Sequence, residues 1–159
     1  MNIIQNILVP VSFSEASVDA ARYAAFLAQA HKARLYVLHV KEPYPAHGRI
    51  VAGSLEDVQM HRIEKEKTQL SELIPPELKN SITIQEIQVT GTPVERVIIE
   101  TARNLGIDAV VMAPPERKGW MRFFKKKGIT EQVIRNAPCS VFVIRNHQDK
   151  DISSSASHR

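Results

Sequence analysis

The chain has 159 residues, which is the length of one ordinary domain and too short for two. Apolar residues make up 43% and charged residues 24%, and no segment approaches the roughly 20 apolar residues of a membrane-spanning helix. Composition therefore excludes a transmembrane protein and a wholly disordered one.

The net charge of +4 is concentrated in one segment. Residues 116–128 hold six of the 21 basic residues and one of the 17 acidic residues, so the rest of the chain has a net charge of −1. We call this segment the basic loop, and its cations are Arg117, Lys118, Arg122, Lys125, Lys126 and Lys127. A nucleic-acid-binding protein spreads its cations over a face and carries a reading module, so we expect no nucleic-acid partner.

The amino terminus enters an apolar run without the charged head of a secretory signal, which predicts a cytoplasmic protein. A single cysteine, Cys139, cannot form an internal disulfide or build a zinc site by itself. The six histidines include no pair at ligand spacing on one predicted helix. We therefore expect no metal centre.

Apolar runs alternate with helical stripes along the chain. Residues 6–11 predict a buried strand that ends near Pro10, and the alanine-rich stripe after Ser14 predicts a helix that packs closely on a sheet, with Ser14 as its cap. Residues 34–40 predict a second strand with His39 as a bonded core histidine. A loop with two prolines and a glycine follows, and residues 55–73 predict a helix with a solvent-facing charged surface.

The second half repeats this alternation. Residues 82–89 predict an edge strand with a bulge, because the spacing of its apolar residues slips by one position. A helix over 94–105 follows, with Pro93 at its first position and Gly106 at its end. Residues 109–113 predict a strand, 129–136 a helix and 140–144 the last strand. We expect one domain over residues 1–146 and a polar, disordered tail over 147–159.

The order β-α-β-α-β-α-β-α-β predicts an α/β fold, a doubly wound parallel sheet of five strands with helices on both faces. Ligands of such sheets bind beyond the carboxyl ends of the strands, where the strand order reverses. This rule brings together the loops at 10–14, 40–44 and 113–128.

Five segments, in order, resemble the universal stress proteins. They are Ile7-Leu8-Val9-Pro10-Val11 with Phe13-Ser14-Glu15-Ala16-Ser17; Leu38-His39-Val40; Gly91-Thr92-Pro93; residues 106–112; and residues 130–141. The resemblance covers residues 3 to 145. It implies a Rossmann-like sheet of the adenine nucleotide alpha hydrolase type in the order 3-2-1-4-5, homodimerisation through the last strand, and a stress-linked role in binding or signalling.

The chain departs from the motif that the ATP-binding members of this family carry after the fourth strand, Gly-x-x-Gly, nine residues, then Gly-Ser or Gly-Thr. Ala113 stands at the first glycine, Glu116 or Arg117 at the second, and Lys127-Gly128 at the Gly-Ser pair. Pro114 and Pro115 remove two N–H donors. Ser12 replaces an aspartate that helps hold the nucleotide in those members.

No cofactor is certain, but the resemblance implies where ATP or another adenine nucleotide would bind if this chain keeps the family's site. The candidate residues are Pro10, Val11, Ser12, Val40, Met112, Ala113, Lys127, Gly128, Ile129 and Thr130. The lysines at 125–127 precede a predicted helix start, so they could supply the phosphate contacts that the glycines no longer make.

Three functions remain open at this point. The leading interpretation is a regulatory binding module with a degenerate ATP loop, and the first alternative is a nucleotide-binding member with weak ATPase activity that uses the lysine-rich loop. The third is an adaptor whose basic loop, with Trp120 as an anchor, docks on an acidic protein partner or a membrane transporter. A homodimer edge is predicted at Val141, Phe142 and Val143. No residue pattern identifies a catalytic nucleophile with its base.

Overall fold

Strands and helices alternate along the described part of the chain. The computed structural model describes residues 4–43, 64–65, 68–69, 72–114 and 128–145. The strands in this part are β1 (Asn6–Pro10), β2 (Arg34–Lys41), β3 (Thr83–Thr90), β4 (Ala109–Met112) and β5 (Ser140–Val143). The helices are α1 (Glu15–His31), α2 (Pro76–Lys79), α3 (Val94–Asn104) and α4 (Ile129–Asn136).

The strands form one parallel sheet in the order β3-β2-β1-β4-β5, as predicted. β1 lies at the centre and pairs with β2 from Asn6↔Arg34 to Pro10↔Leu38, and with β4 at Ile7↔Ala109 and Leu8↔Val110. Its apolar centre suits this position because a strand covered on both faces has no polar side. All five carboxyl ends consequently lie at one edge of the sheet.

Two apolar clusters cover the two faces of the sheet. α1 packs on the first face, where the small side chains of Ala21, Ala24, Ala25 and Ala28 are fully buried against Ile7 and Val9. The second face carries Leu8, Val110 and Met112 beneath Ile98 of α3 and Val133 of α4. The alanines let the α1 backbone approach the sheet closely, as the sequence predicts.

Two helix boundaries follow from local chemistry. Ser14 caps α1, with its side-chain oxygen accepting a hydrogen bond from the Ser17 amide at 3.2 Å, which confirms the predicted cap. Gly106 adopts a φ of +58° just after α3, a conformation that glycine reaches without steric cost. Pro93 lies one residue before the first helical residue, Val94, and not at the first helical position as predicted.

The predicted bulge in β3 is wrong. Eight consecutive residues of β3 pair with β2, from Arg34↔Thr83 to Lys41↔Thr90, without an interruption. The irregular apolar spacing has another cause: Ile84 packs in the cluster on the first face, whereas Ile87 and Val89 pack in the cluster on the second. The strand changes the face that it buries and keeps its register. Its position at the sheet edge is as predicted.

Several predicted segments fall wholly or largely outside the described residues. They are the part of the loop at 41–48 beyond residue 43, most of the helix at 55–73, residues 116–127 of the basic loop and the tail from 147. Residues 64–65, 68–69 and 72 are helical, in agreement with part of the predicted helix. Within the part of the chain that the structure describes, no helix is both long and apolar enough to cross a membrane.

The Asp108 side chain stabilises the amino edge of the sheet through hydrogen bonds. Its Oδ2 accepts hydrogen bonds from the amides of Gln5 at 2.8 Å and Asn6 at 2.9 Å, and its own amide donates to the Asn6 carbonyl at 2.9 Å. One carboxylate thus satisfies two amides at the start of β1 and joins β1 to the turn before β4. Charge-assisted bonds of this kind are the stronger class.

We expect Asp108→Ala to lower the free energy of unfolding by about 1–3 kcal/mol, because the amides of Gln5 and Asn6 lose their acceptor. Asp108→Asn keeps an oxygen at this position and should cost less. Urea unfolding of the two variants and the wild-type protein measures both values. Equal midpoints for all three proteins would show that the carboxylate does not hold this edge.

Cys139 is a half-buried free thiol that packs against the apolar cluster on the second face. Burial raises the pKa of Cys139 above its ordinary value, and the negative charge of Asp108 raises this pKa further, against the opposite effect of a hydrogen bond with the Val110 backbone. The thiol is therefore held protonated at neutral pH, which makes it a poor nucleophile.

Alkylation of Cys139 by iodoacetamide at pH 8 should be slower in the folded protein than in the urea-unfolded chain. Asp108→Asn removes the negative charge, lowers the pKa of Cys139 towards its ordinary value and should speed the reaction. Mass spectrometry of timed samples measures the rates. A folded rate that equals the unfolded rate would contradict the proposed effect of burial.

Candidate functional site

The described residues that follow β1, β2 and β4 lie at the carboxyl edge of the sheet. The hydrogen-bond ladder continues beyond the strand ends, from the Val11 amide to the Leu38 carbonyl at 2.8 Å and from the Ile144 amide to the Met112 carbonyl at 2.9 Å. Parallel sheets bind ligands at this edge. The predicted candidate residues that the structure describes therefore lie at the expected place in the fold.

The loop after β1 is a tight turn closed by serines. The Ser12 amide donates to the Ser17 Oγ at 3.3 Å, and the Ser12 Oγ donates to the Ser14 Oγ at 3.2 Å. Ser17 is buried, and its own hydroxyl donates to the Ser14 carbonyl at 3.0 Å. The Ser12 oxygen keeps acceptor capacity for a ligand, but it carries no negative charge.

His39 joins the end of β2 to this turn. Its Nδ1 lies 2.9 Å from the Val11 carbonyl oxygen, and since a carbonyl only accepts, Nδ1 carries the hydrogen. The imidazole also lies against the Phe13 ring, with centroids 4.7 Å apart and planes inclined by 49°. The predicted bond to a ring nitrogen is present. His39 is, however, half-buried at the carboxyl edge of the sheet and not deep in the core.

A cleft of about 560 Å³ opens over the ends of β1 and β2. Its walls include Ser12 and Phe13 from the first loop, residues 39–42 from the end of β2, and Lys65 and Gln69 from the helical residues before α2. This volume lies within the range of ligand sites, about 300–1,000 Å³. The lining combines aromatic and apolar residues with hydroxyl, amide and imidazole groups, and it includes two lysines, Lys41 and Lys65, and one acidic residue, Glu42.

Lys65 and Gln69 also line the cleft, and the sequence alone did not identify these two residues as part of a site. The charged pattern around Lys65 indicates an exposed helix surface, and Lys65 is indeed exposed. The signal that could have found the two residues is their spacing, because positions four residues apart share one helix face. Only the fold shows that this face meets the ends of β1 and β2.

A slightly larger cleft, about 640 Å³, lies at the opposite edge, where Gln5, Lys32 and Arg34 are among its lining residues. We do not assign it as the ligand site. It lies at the amino ends of the strands, whereas ligands of this sheet type bind at the carboxyl ends.

The fourth strand and α4 close the other side of the predicted nucleotide site. Met112 is buried at the end of β4, and the Thr130 Oγ1 donates to the Ala113 carbonyl at 3.3 Å, which ties the start of α4 to the strand end. Gly128 precedes the helix and offers no side-chain cap, and Ile129 is exposed. The first amides of α4 therefore have no side-chain cap from Gly128.

The remaining predicted residues divide into two groups. Those of the basic loop lie outside the described residues: Arg117, Lys118, Trp120, Arg122, Lys125, Lys126 and Lys127. Val141, Phe142 and Val143 lie on the edge strand β5, where Phe142 is 37% and Val143 40% exposed. No group of three potential metal-binding side chains occurs among the described residues.

Comparison with known proteins agrees with this geometry. The model of the universal stress protein family matches residues 4–145. Universal stress protein MJ0531 of Methanocaldococcus jannaschii is 26% identical over 144 residues, which cover 91% of this chain and 84% of that protein. The match to the family model spans all five strands.

Solved structures share the fold. The universal stress protein UspA from Lactobacillus plantarum has 25% identity and a TM-score of 0.67, over 89% of this chain and 98% of that one. A universal stress protein in complex with cAMP has 18% identity and a TM-score of 0.63, over 90% and 98% of the two chains. The Archaeoglobus fulgidus protein in complex with dAMP has 23% identity and a TM-score of 0.58, over 90% and 99%.

The sheet order and the match over residues 4–145 lead to one conclusion. The chain belongs to the universal stress protein family.

Proposed function

We propose that this protein is a regulatory module of the stress response that binds an adenine nucleotide at the carboxyl edge of its sheet. The observation that carries the proposal is the cleft of about 560 Å³ over the ends of β1 and β2. Two proteins of the same fold were solved with cAMP and dAMP, and both ligands are adenine nucleotides with one phosphate.

The cleft suits the base and sugar of such a ligand. Phe13 and Val40 supply flat and apolar surface, as ligand pockets commonly do, while Ser12 and Gln69 supply hydrogen-bonding groups that fix orientation. Lys65 adds a positive charge to the wall. These residues offer more to an adenine nucleotide than to a purely apolar molecule.

Among the described residues, which exclude residues 115–127, the donors on the phosphate side suit one phosphate better than three. Pro114 has no N–H to donate, and the Thr130 hydroxyl already donates to the Ala113 carbonyl. The donors that remain among the described residues are amides of the first turn of α4, which favour a negative charge. A triphosphate needs a longer row of donors than these.

Binding rather than catalysis is the better interpretation of the serines at this edge. The Ser12 hydroxyl donates to the Ser14 oxygen and the His39 Nδ1–H donates to the Val11 carbonyl, so neither bond joins a serine to the imidazole. A serine nucleophile needs a base within hydrogen-bond reach of its oxygen. Neither serine has such a bond to a base in the described part of the chain.

The test is calorimetric titration of nucleotide-stripped protein with adenosine, AMP, cAMP and ATP. We expect AMP or cAMP to bind more tightly than adenosine, and ATP to bind no more tightly than AMP. Tighter binding of ATP, lost in the triple variant Lys125→Ala, Lys126→Ala and Lys127→Ala, would favour the lysine-rich ATP site instead. Absence of binding by all four ligands would refute the proposal.

Lys65→Ala should weaken AMP binding about two- to fivefold at low salt and leave adenosine binding unchanged, because the exposed charge on the cleft wall attracts the negatively charged nucleotide over a distance that salt screens. The control is Arg22→Ala, which removes an exposed positive charge from α1, outside the cleft wall. The same titrations provide the measurement. An equal loss for adenosine and AMP would contradict an electrostatic role for Lys65.

We further propose that two copies of the chain associate through β5. An edge strand presents an unpaired row of backbone N–H and C=O groups, and the exposed side chains of Phe142 and Val143 add apolar surface beside it. Pairing across a two-fold axis would cover both.

Light scattering should give about twice the single-chain mass of 17.9 kDa. Phe142→Lys should shift the protein towards the single-chain mass, because it places a charge in the proposed interface. Phe26→Lys is the matched control, since Phe26 is 57% exposed on α1, away from β5. A monomeric wild-type protein at high micromolar concentration would disprove the proposed dimer.

A further inference from the structure

Phe13 has an unusual backbone conformation at the ligand edge. Its φ is +63°, in the left-handed region that a bulky side chain rarely adopts. Lys32 is the other described non-glycine residue with a positive φ, at +55°, and the end of α1 explains it, since helices commonly end with a residue in this conformation. Phe13 lies before a helix and has no such explanation.

A strained residue persists only where its surroundings hold it in place, and such residues concentrate at functional sites. His39 provides this restraint from the neighbouring strand. Its Nδ1–H donates to the carbonyl of Val11, two residues before Phe13, and its ring lies against the Phe13 ring. The imidazole therefore fixes both the backbone before the turn and the side chain within it.

The conformation of the Phe13 turn determines where Ser12 lies. Ser12 is placed between the backbone that His39 holds and the strained residue, and its amide reaches back to the Ser17 Oγ at 3.3 Å. Ser12, Phe13 and His39 all line the same cleft. A change in the conformation of Phe13 would therefore move one wall of the candidate site.

We propose that His39 is a positioning residue: it holds the strained Phe13 turn in place before the ligand arrives, so that ligand affinity depends on it. The inference rests on the proposed nucleotide binding. Preorganisation of a loop raises affinity because the ordering cost is met during folding and not during binding.

Two variants at position 39 separate the contributions of the ring and of the donor. His39→Phe keeps a ring against Phe13 but removes the hydrogen bond to the Val11 carbonyl. His39→Asn loses the ring but keeps an N–H donor close to the position of Nδ1. Tyr36→Phe is the control on the same strand, because it removes only a hydroxyl that accepts from Arg34 at 3.4 Å, near the amino end of β2.

Two readouts are needed, both taken well below the unfolding temperature. The first is the affinity for adenosine and AMP by calorimetry, and the second is the hydrogen exchange rate of the Ser12 amide by NMR, with the Leu8 amide as the internal reference. We expect His39→Phe to weaken both ligands about tenfold and to speed Ser12 exchange at least tenfold, with Leu8 unchanged. His39→Asn should recover part of both losses, and Tyr36→Phe should behave as the wild-type protein.

Three results would overturn the inference. Unchanged affinity with faster Ser12 exchange would make His39 a purely structural residue. Lost affinity with unchanged Ser12 exchange would make it a direct ligand contact. No change in either quantity would show that the turn does not depend on His39.

The exchange measurement needs no ligand, so it also separates this inference from the proposed function. If the wild-type protein binds neither adenosine nor AMP, the proposed function fails, and the positioning role for ligand binding fails with it, even if the exchange rates show that His39 holds the turn. If His39→Phe does not fold, Phe13→Gly tests the same turn, because glycine adopts this φ without restraint. We expect Phe13→Gly to give weaker binding and faster Ser12 exchange, and unchanged values would refute the inference.

Discussion

The parallel pairing of β1 with strands on both of its sides is the constraint on which the rest of the structure depends. β1 pairs with β2 along its whole length and with β4 at its centre, so all strand ends align at the same two edges. Parallel pairing also requires a crossover after every strand, and each crossover begins with a loop at the carboxyl edge. The candidate site is a direct consequence, since residues far apart in sequence meet there.

The amino and carboxyl edges of the sheet contribute differently to stability. At the amino edge, the Asp108 carboxylate satisfies two backbone amides of the segment that begins β1, an arrangement that contributes stability. At the carboxyl edge, Phe13 adopts a conformation that costs stability, and serines and His39 hold it. The strain at Phe13 and the hydrogen bonds of Asp108 at the opposite edge can coexist because the buried strands between the two edges are closely packed and rigid.

Much of the fold could be predicted from the sequence because its signals are local. The apolar run of β1, the alanines of α1 and the glycine after α3 each determine their own element. The spacing of Ile84 and Ile87 led to the wrong prediction of a bulge. The same slip in spacing fits a bulge or a change of the buried face, and only the neighbouring helices decide which of the two occurs. A purely local pattern cannot contain that information.

The site was less predictable than the fold for the same reason. A resemblance to a family placed Ser12 and Val40 at the ligand edge, but Lys65 and Gln69 reach the cleft only through tertiary packing. Nothing in the sequence predicts a left-handed Phe13 either, because phenylalanine has no preference for that region and the restraint comes from another strand.

In the proposed complex, an adenine nucleotide lies over the ends of β1 and β2. The most direct measurement is an NMR titration of the isotopically labelled protein with AMP, which follows the backbone amide of every assigned residue. Binding at the carboxyl edge should shift the amides of Ser12, Val40 and Gly128 and leave those of Lys32 and Thr83, at the opposite edge, unchanged. Shifts confined to Lys32 and Thr83, or no shifts at millimolar AMP, would contradict it.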